Sequence, residues 1–293
     1  MTIAWAHFTP WTALAGGMLI GLAASLFILL GGRIAGISGI LGGLLRPARG
    51  DVAWRLLFLA GIVLVPFGWS LAAALPAASI DADGATLLVA GLLVGIGTAT
   101  APAAPAAMAC AAWRACRRVR WRPPPRSSRR ASSRSGCCAT FSAEEHRMQL
   151  LIAFVSGLVF GLGLLLSGLM NPAKVLAFLD LAGAWDPSLL CTMGGATLVA
   201  ALAFRIAKRR GRTLFGAALR LPSATVIDRR LVLGSTAFGV GWGLAGFCPG
   251  PAIASLGAGS PKALVFTLAM VAGMGLFELA EWLRRRQQRP ESA

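Results

Sequence analysis

Long apolar runs separated by short polar or basic stretches dominate the chain. Trp11–Leu30, Trp54–Leu75, Ala85–Gly97, Gln149–Leu169, Ser188–Ile206, Leu231–Leu244 and Lys262–Leu283 predict membrane-crossing helices. A crossing needs about 20 apolar residues, so Ala85–Gly97 and Leu231–Leu244 read as truncated or interrupted. Gly36–Gly43 and Val175–Leu181 are too short to cross and predict re-entrant half helices. The pattern breaks at Gly246-Phe247-Cys248-Pro249-Gly250, inside otherwise spanning sequence. Pro249 removes a backbone donor and ends a helix, and the two glycines let the chain turn. Broken backbone at membrane depth survives only inside protein or beside a water-filled cavity. Cys248 therefore sits either where a permeating solute meets it or as a small buried hydrophobe.

The order of elements repeats. Trp11–Leu30 leads to a short glycine-rich segment, a crossing and a truncated crossing. Gln149–Leu166 leads to the short Val175–Leu181, the crossing Ser188–Ile206 and the interrupted run before Cys248. Gly95-Ile96-Gly97 answers Gly239-Val240-Gly241. The halves carry opposite charge bias: the first short segment is followed by Arg46, Arg49 and Arg55, the second by Asp180 and Asp186. That is the signature of an inverted repeat with its site near the midplane. The expected fold is an all-α integral membrane protein, a polytopic helical bundle with an inverted repeat and short re-entrant half helices.

Composition agrees. The chain has 293 residues, 56% of them hydrophobic and only 13% charged, about half the charge of a soluble domain. Thirty-six glycines suit close helix packing. The net charge of +17 reads as topology: cytoplasmic loops collect Lys and Arg, and Lys208-Arg209-Arg210, Arg212, Arg229-Arg230 and Arg284-Arg285-Arg286 all lie between or after crossings. The expected location is the bacterial inner membrane, multi-pass, with the C-terminus cytoplasmic and no cleavable signal peptide. Cys110, Cys116, Cys137, Cys138, Cys191 and Cys248 have no metal or disulfide spacing. His7 and His146 have no catalytic partner nearby. No metal, no cofactor and no enzyme activity are expected.

From Met148 to Leu276 the chain resembles the YeeE/YedE-type sulfur-compound transporters, in the split form whose halves are two small subunits. The resemblance rests on Leu166-Ser167-Gly168-Leu169-Met170-Asn171-Pro172, Lys174–Asp180, Ala184–Leu189, Met193–Ala196, Ile227–Leu231 and Gly241–Pro251. The first half is similar through Arg33–Gly39 and on to Gly97-Thr98. It implies inward movement of thiosulfate, with pore cysteines contacting its terminal sulfur. For such a dianion, half-helix N-termini at Ser38, at Asn171-Pro172 and at Pro249-Gly250 supply positive ends. Cys248, with Gly246, Pro249 and Gly250, forms the candidate substrate site. Lys174 adds charge or snorkels to the interface. Ser167 and Asn171 line the path or cap the helix after Pro172. Asp180 and Asp186 terminate the outer half helix, Met170, Met193, Met270 and Met274 are core, and Cys191 is structural.

After Thr98 the resemblance fails. The family continues Gly-Ser-Gly-Cys-Thr-Ser-Gly-His-Gly-Val-Cys-Gly; this chain has an Ala/Pro stretch and then a Pro/Arg/Ser-rich run to Cys138. One reading is a disordered basic linker. The other comes from the genetic code. If the last base of each codon joins the first two of the next, Met108-Ala109 forces Gly, Cys110-Ala111 permits only Cys or Arg, and residues 101–113 permit the family motif in order. Ala143-Glu144-Glu145 also permits a purine-rich ribosome-binding run ahead of Met148. The expectation is a single-base slip near codon 98 that fused two reading frames. The organisation is then a truncated first half (1–98), a disordered out-of-frame basic tract (99–147), a second half (148–283) and a basic cytoplasmic tail (284–293). With three crossings left in the first half, Arg114–Arg134 and Met148 both fall in the cytoplasm.

Three functional readings follow: a thiosulfate permease, a membrane sulfur relay through a Cys248 persulfide, and a non-functional member of a transporter family. The expected partners are a small inorganic sulfur anion, the lipid bilayer, a cytoplasmic sulfur-carrier protein and further copies of the chain. Nucleic acid is excluded, because no fold or aromatic interleaving accompanies the arginines.

Overall fold

The computed structural model describes residues 2–5, 8–32, 36–45, 51–74, 79–100, 141–211, 213–214 and 229–287. The helices are α1 (Pro10–Gly31), α2 (Ile37–Leu45), α3 (Val52–Ala72), α4 (Gly84–Thr100), α5 (Phe141–Ser167), α6 (Pro172–Leu179), α7 (Ser188–Arg210), α8 (Arg229–Ala245), α9 (Pro249–Gly257) and α10 (Pro261–Gln287). Each apolar run identified above forms a helix over most of its length, with Trp54–Leu75, Gln149–Leu169 and Val175–Leu181 running a few residues past the helix end. Among the described residues five helices are long and apolar enough to cross a membrane, six if α8 and α9, bent by 43° at their break, count as one span. The chain is an all-α, multi-pass membrane protein. Among the described residues the only β pairing is parallel, between β1 (Thr2–Ile3) and β2 (Ala184–Trp185).

The tract boundaries at 98/99 and 147/148 fall inside helices: α4 runs on to Thr100 and α5 begins at Phe141. Residues 101–140 lie outside the described residues, with Cys110, Cys116, Cys137 and Cys138. So do His7, Arg33–Ala35, Arg46, Arg49, Arg212 and Ile227-Asp228.

Glycines decide which helices touch. In lipid, helices gain little from burying apolar surface and associate through close backbone approach. On α1, Gly17 abuts Thr192 of α7, and Gly21 abuts Ala196 and Val199; Gly195 of α7 abuts Leu14 and Met18 in return. On α5, Gly157 abuts Phe58 of α3, and Gly161 abuts Ile62 and Val65; Gly61 of α3 abuts Phe154 and Leu158. A shift of 140 residues from α1 to α5, and of 134 from α3 to α7, carries the first set of contacts onto the second. The α4–α8 contact maps onto itself at an offset of 144: Gly97 meets Gly234 and Phe238, and Gly241 meets Ala90 and Val94. Rising residue numbers pair with rising ones in α1–α7 and α3–α5, while α1–α5 and α4–α8 run antiparallel. This is an inverted repeat written in side-chain-free contacts.

The bundle therefore has two groups of long helices, each mixing both halves. One holds α7, α1, α5 and α3; the other holds α8, α4 and α10, with the short α2 and α9 between them. Phe27, Trp54, Phe58, Ile62 and Leu164 fill the first core. Leu87, Val94, Phe247, Phe266 and Met270 fill the second. Met170, Met270 and Met274 are core, as expected, whereas Met193 is exposed on α7 and faces outward. Lys208–Arg210, Arg229, Arg230, Arg284 and Arg286 gather at one end of the bundle, and Asp81, Asp83, Asp180 and Asp186 at the other.

The repeat allows a matched test. Gly95 of α4 abuts the Met270 backbone, while Gly239, its mate on α8, has nothing within 4 Å. Gly95→Val is expected to cost about 1–3 kcal/mol by overpacking and to lower the thermal midpoint of the detergent-solubilised protein. Gly239→Val is expected to leave that midpoint unchanged.

Candidate functional site

Cys248 stands at the break between α8 and α9. Gly246 takes the left-handed conformation (φ 67°) that ends α8, its N–H donating to the Trp242 carbonyl. Cys248 is extended and forms the N-cap of α9, with Pro249 at the first helical position. Its carbonyl accepts the Ala252 N–H, and its thiol is free and half-buried. Phe247, fully buried, locks the break by packing on Phe266 at 5.4 Å.

The starts of three short helices meet here. A Cβ on Gly246 would stand 2.6 Å from the Pro172 carbonyl oxygen at the start of α6. A Cβ on Gly250 would stand 2.9 Å from Ile37 Cδ1 at the start of α2, with Phe160 of α5 next nearest. The starts of α6 and α2 thus lie against the two glycines that flank the thiol, at the N-terminus of α9. Glycine is required at Gly246, where φ is positive and a side chain would meet the α6 backbone, whereas at Gly250 only the tip of the Ile37 side chain would have to move.

One residue beyond Ile37, buried Ser38 lines a cavity of about 330 Å³. Thr98 and Thr100 at the end of α4, Arg230 at the start of α8, and Glu278 and Glu281 near the end of α10 complete its polar lining. Arg230 Nη1 reaches Glu281 at 3.3 Å. The cavity is at the basic end of the bundle. Its Thr98, Arg230, Glu278 and Glu281 were not read from the sequence as site residues, because only folding brings α4, α8 and α10 to one rim.

The other expected site residues have structural work. Asn171 accepts the Ala173 N–H at 3.0 Å and caps α6. The Ser167 hydroxyl donates to the Leu164 carbonyl, and its backbone lies against Gly16 at the α1–α5 crossing. Lys174 Nζ donates to Thr9 Oγ1 at 2.8 Å, at the end where β1 meets β2. Asp180 ends α6 and accepts the Gly183 N–H. Asp186 does not: buried, it accepts from the N–H and hydroxyl of Ser188 and opens α7. Arg55 is paired with Asp51 and donates to the Gly39 and Ile40 carbonyls, pinning α2 to α3. Cys191 is half-buried in α7. Among the described residues no group of His, Cys, Asp and Glu is placed to hold a metal.

Residues 148–289 match the family of unknown function DUF6691. Two proteins named probable transporter, from Xylella fastidiosa strains Temecula1 and 9a5c, are each 50% identical over 128 residues, 43% of this chain and 86% and 88% of theirs. The chain belongs to the DUF6691 family. A second probable transporter from strain 9a5c is 45% identical over 89 residues, 30% of this chain and 64% of its own. Each relative is thus about half as long as this chain. No solved structure matches. With relatives named as transporters and a multi-pass helical fold, the chain is a member of a membrane transporter family.

Removing a cap should cost stability without touching the thiol. Asn171→Ala is expected to destabilise by about 1 kcal/mol, read by thermal unfolding, with maleimide labelling of Cys248 unchanged. Lys174→Met should likewise leave that labelling unchanged.

Proposed function

We propose that this chain is built as a permease for a small inorganic sulfur anion, with thiosulfate the best candidate, and that Cys248 contacts its sulfur. The observation that carries this reading is the free Cys248 thiol at the start of α9, with the starts of α6 and α2 packed against its flanking glycines. Helix N-termini favour anions through their free N–H groups and dipole. A thiol is an unusual choice for an oxyanion and a reasonable one for a terminal sulfur. The resemblance at Gly241–Pro251 and at Leu166–Asp180 points to the same substrate class.

Binding near the midplane of an inverted repeat suits alternating access. The cavity lined by Ser38, Thr98 and Arg230 is the release vestibule in this reading, at the basic end, which the positive-inside rule makes cytoplasmic. The inner membrane and a cytoplasmic C-terminus follow from that charge bias. A sulfur-carrier protein is the partner expected at this mouth. Gly246, Pro249 and Gly250 shape the turn, and Asn171 fixes the α6 start. Lys174, held by Thr9, acts at a distance from the thiol by setting the outer edge.

Uptake of ³⁵S-thiosulfate by cells carrying the transporter tests this. Cys248→Ala should abolish uptake and Cys248→Ser should reduce it at least tenfold, while Cys191→Ala should keep it. Uptake that survives Cys248→Ala would make Cys248 a packing residue.

A further inference from the structure

One face of α8 is left open by the rest of the described chain. On α4, the strip through Gly91 and Gly95 is covered by α10: a Cβ on Gly91 would stand 2.7 Å from Ala269 Cβ and from the Phe266 carbonyl oxygen. At the repeat offset of 144 the mates of Gly95 and Ala99 are Gly239 and Gly243, and neither has anything within 4 Å. Val240, mate of the half-buried Ile96, is 51% exposed. Elsewhere the two helices agree, since Leu88 and Val89 are exposed and so are their mates Val232 and Leu233. The asymmetry falls on the strip that α10 covers in the other half.

The repeat also locates what should cover it. Counting back 144 residues puts the mates of α9 and α10 at about 105–113 and 117–143, almost wholly between Thr100 and Phe141. The length is right and the composition is wrong, for residues 114–135 are rich in Arg, Ser and Pro. Read one base out of register, the same codons change character. The junctions Arg126–Ser127, Ser127–Ser128, Ala131–Ser132, Ser132–Ser133 and Arg134–Ser135 each permit Phe, Leu, Ile or Val. Arg120–Trp121 and Gly136–Cys137 permit only Leu, Met or Val, and Cys137–Cys138 forces Leu. Every other junction from Trp121–Arg122 to Cys138–Ala139 permits Ala, Gly, Ser, Thr or Cys. The run is long enough to cross a bilayer and falls on the mates of Leu264–Leu283.

We propose that the shifted frame over codons 120–140 encodes a membrane-spanning helix that packs parallel to α8 against Gly239 and Gly243, and that the intact transporter contains it. This helix completes the inverted repeat by answering α10. It goes beyond the permease reading and does not need its substrate, because every readout below is structural.

The test begins with sequencing codons 95–145 from an independent DNA preparation, where a one-base difference restoring the shifted frame is expected. The corrected gene is then expressed with two cysteines added, Gly239→Cys and one at the shifted-frame position over Arg126–Ser127, the mate of Met270. Oxidation should link them, and Leu233→Cys in place of Gly239→Cys should not link. Gly239→Val, silent in the present chain, should lower the thermal midpoint of the corrected protein. The proposal is overturned if the DNA reads as the present chain does, if Gly239→Cys links only to its own counterpart in a second copy, or if Gly239→Val stays silent after correction.

Discussion

Backbone-to-backbone approach at glycine is the constraint on which this bundle rests. In an apolar solvent, burying leucine against leucine gains little over burying it in lipid, so helices hold together where they come closest. Gly17 and Gly21 on α1, Gly157 and Gly161 on α5, and Gly97 and Gly241 at the α4–α8 crossing supply that closeness. A methyl at any of these would meet a neighbouring helix's atoms at 3.0 Å or less. The larger side chains, Phe27, Trp54 and Phe58 on one side and Phe247 and Phe266 on the other, then fill what the glycine contacts leave between the groups.

Once the long helices are fixed in pairs, the short ones are held by polar devices of low cost. Asn171 caps α6, Asp186 accepts from Ser188 at the start of α7, and Arg55 ties α3 to α2 by donating to the Gly39 and Ile40 carbonyls. Each satisfies backbone groups that could not be left bare at this depth. Gly246 does the opposite task, ending α8 with a left-handed turn so that α9 restarts at Pro249. The result is a frame interrupted between α8 and α9, with the free thiol of Cys248 at the break.

The same constraint exposes what is incomplete. Among the described residues the α1–α7 and α3–α5 contacts superpose residue by residue, whereas Gly95 is packed against α10 and its mate Gly239 has nothing within 4 Å.

The apolar runs by themselves determined the helices, the short segments α2 and α6, and the break at Cys248, because length and hydrophobicity are local properties and the bilayer sets a fixed thickness. Charge bias and the Gly95-Ile96-Gly97 and Gly239-Val240-Gly241 pair also made the inverted repeat legible. What only the tertiary structure decided was the partner of each helix and the fate of each polar side chain. Lys174 ends on Thr9, Ser167 on the Leu164 carbonyl, and Asp186 at the start of α7 rather than the end of α6. The cavity rim of Thr98, Arg230, Glu278 and Glu281 joins three helices far apart in the chain. A glycine announces that something comes close; which helix comes close, and whether it is there at all, is a fact about packing.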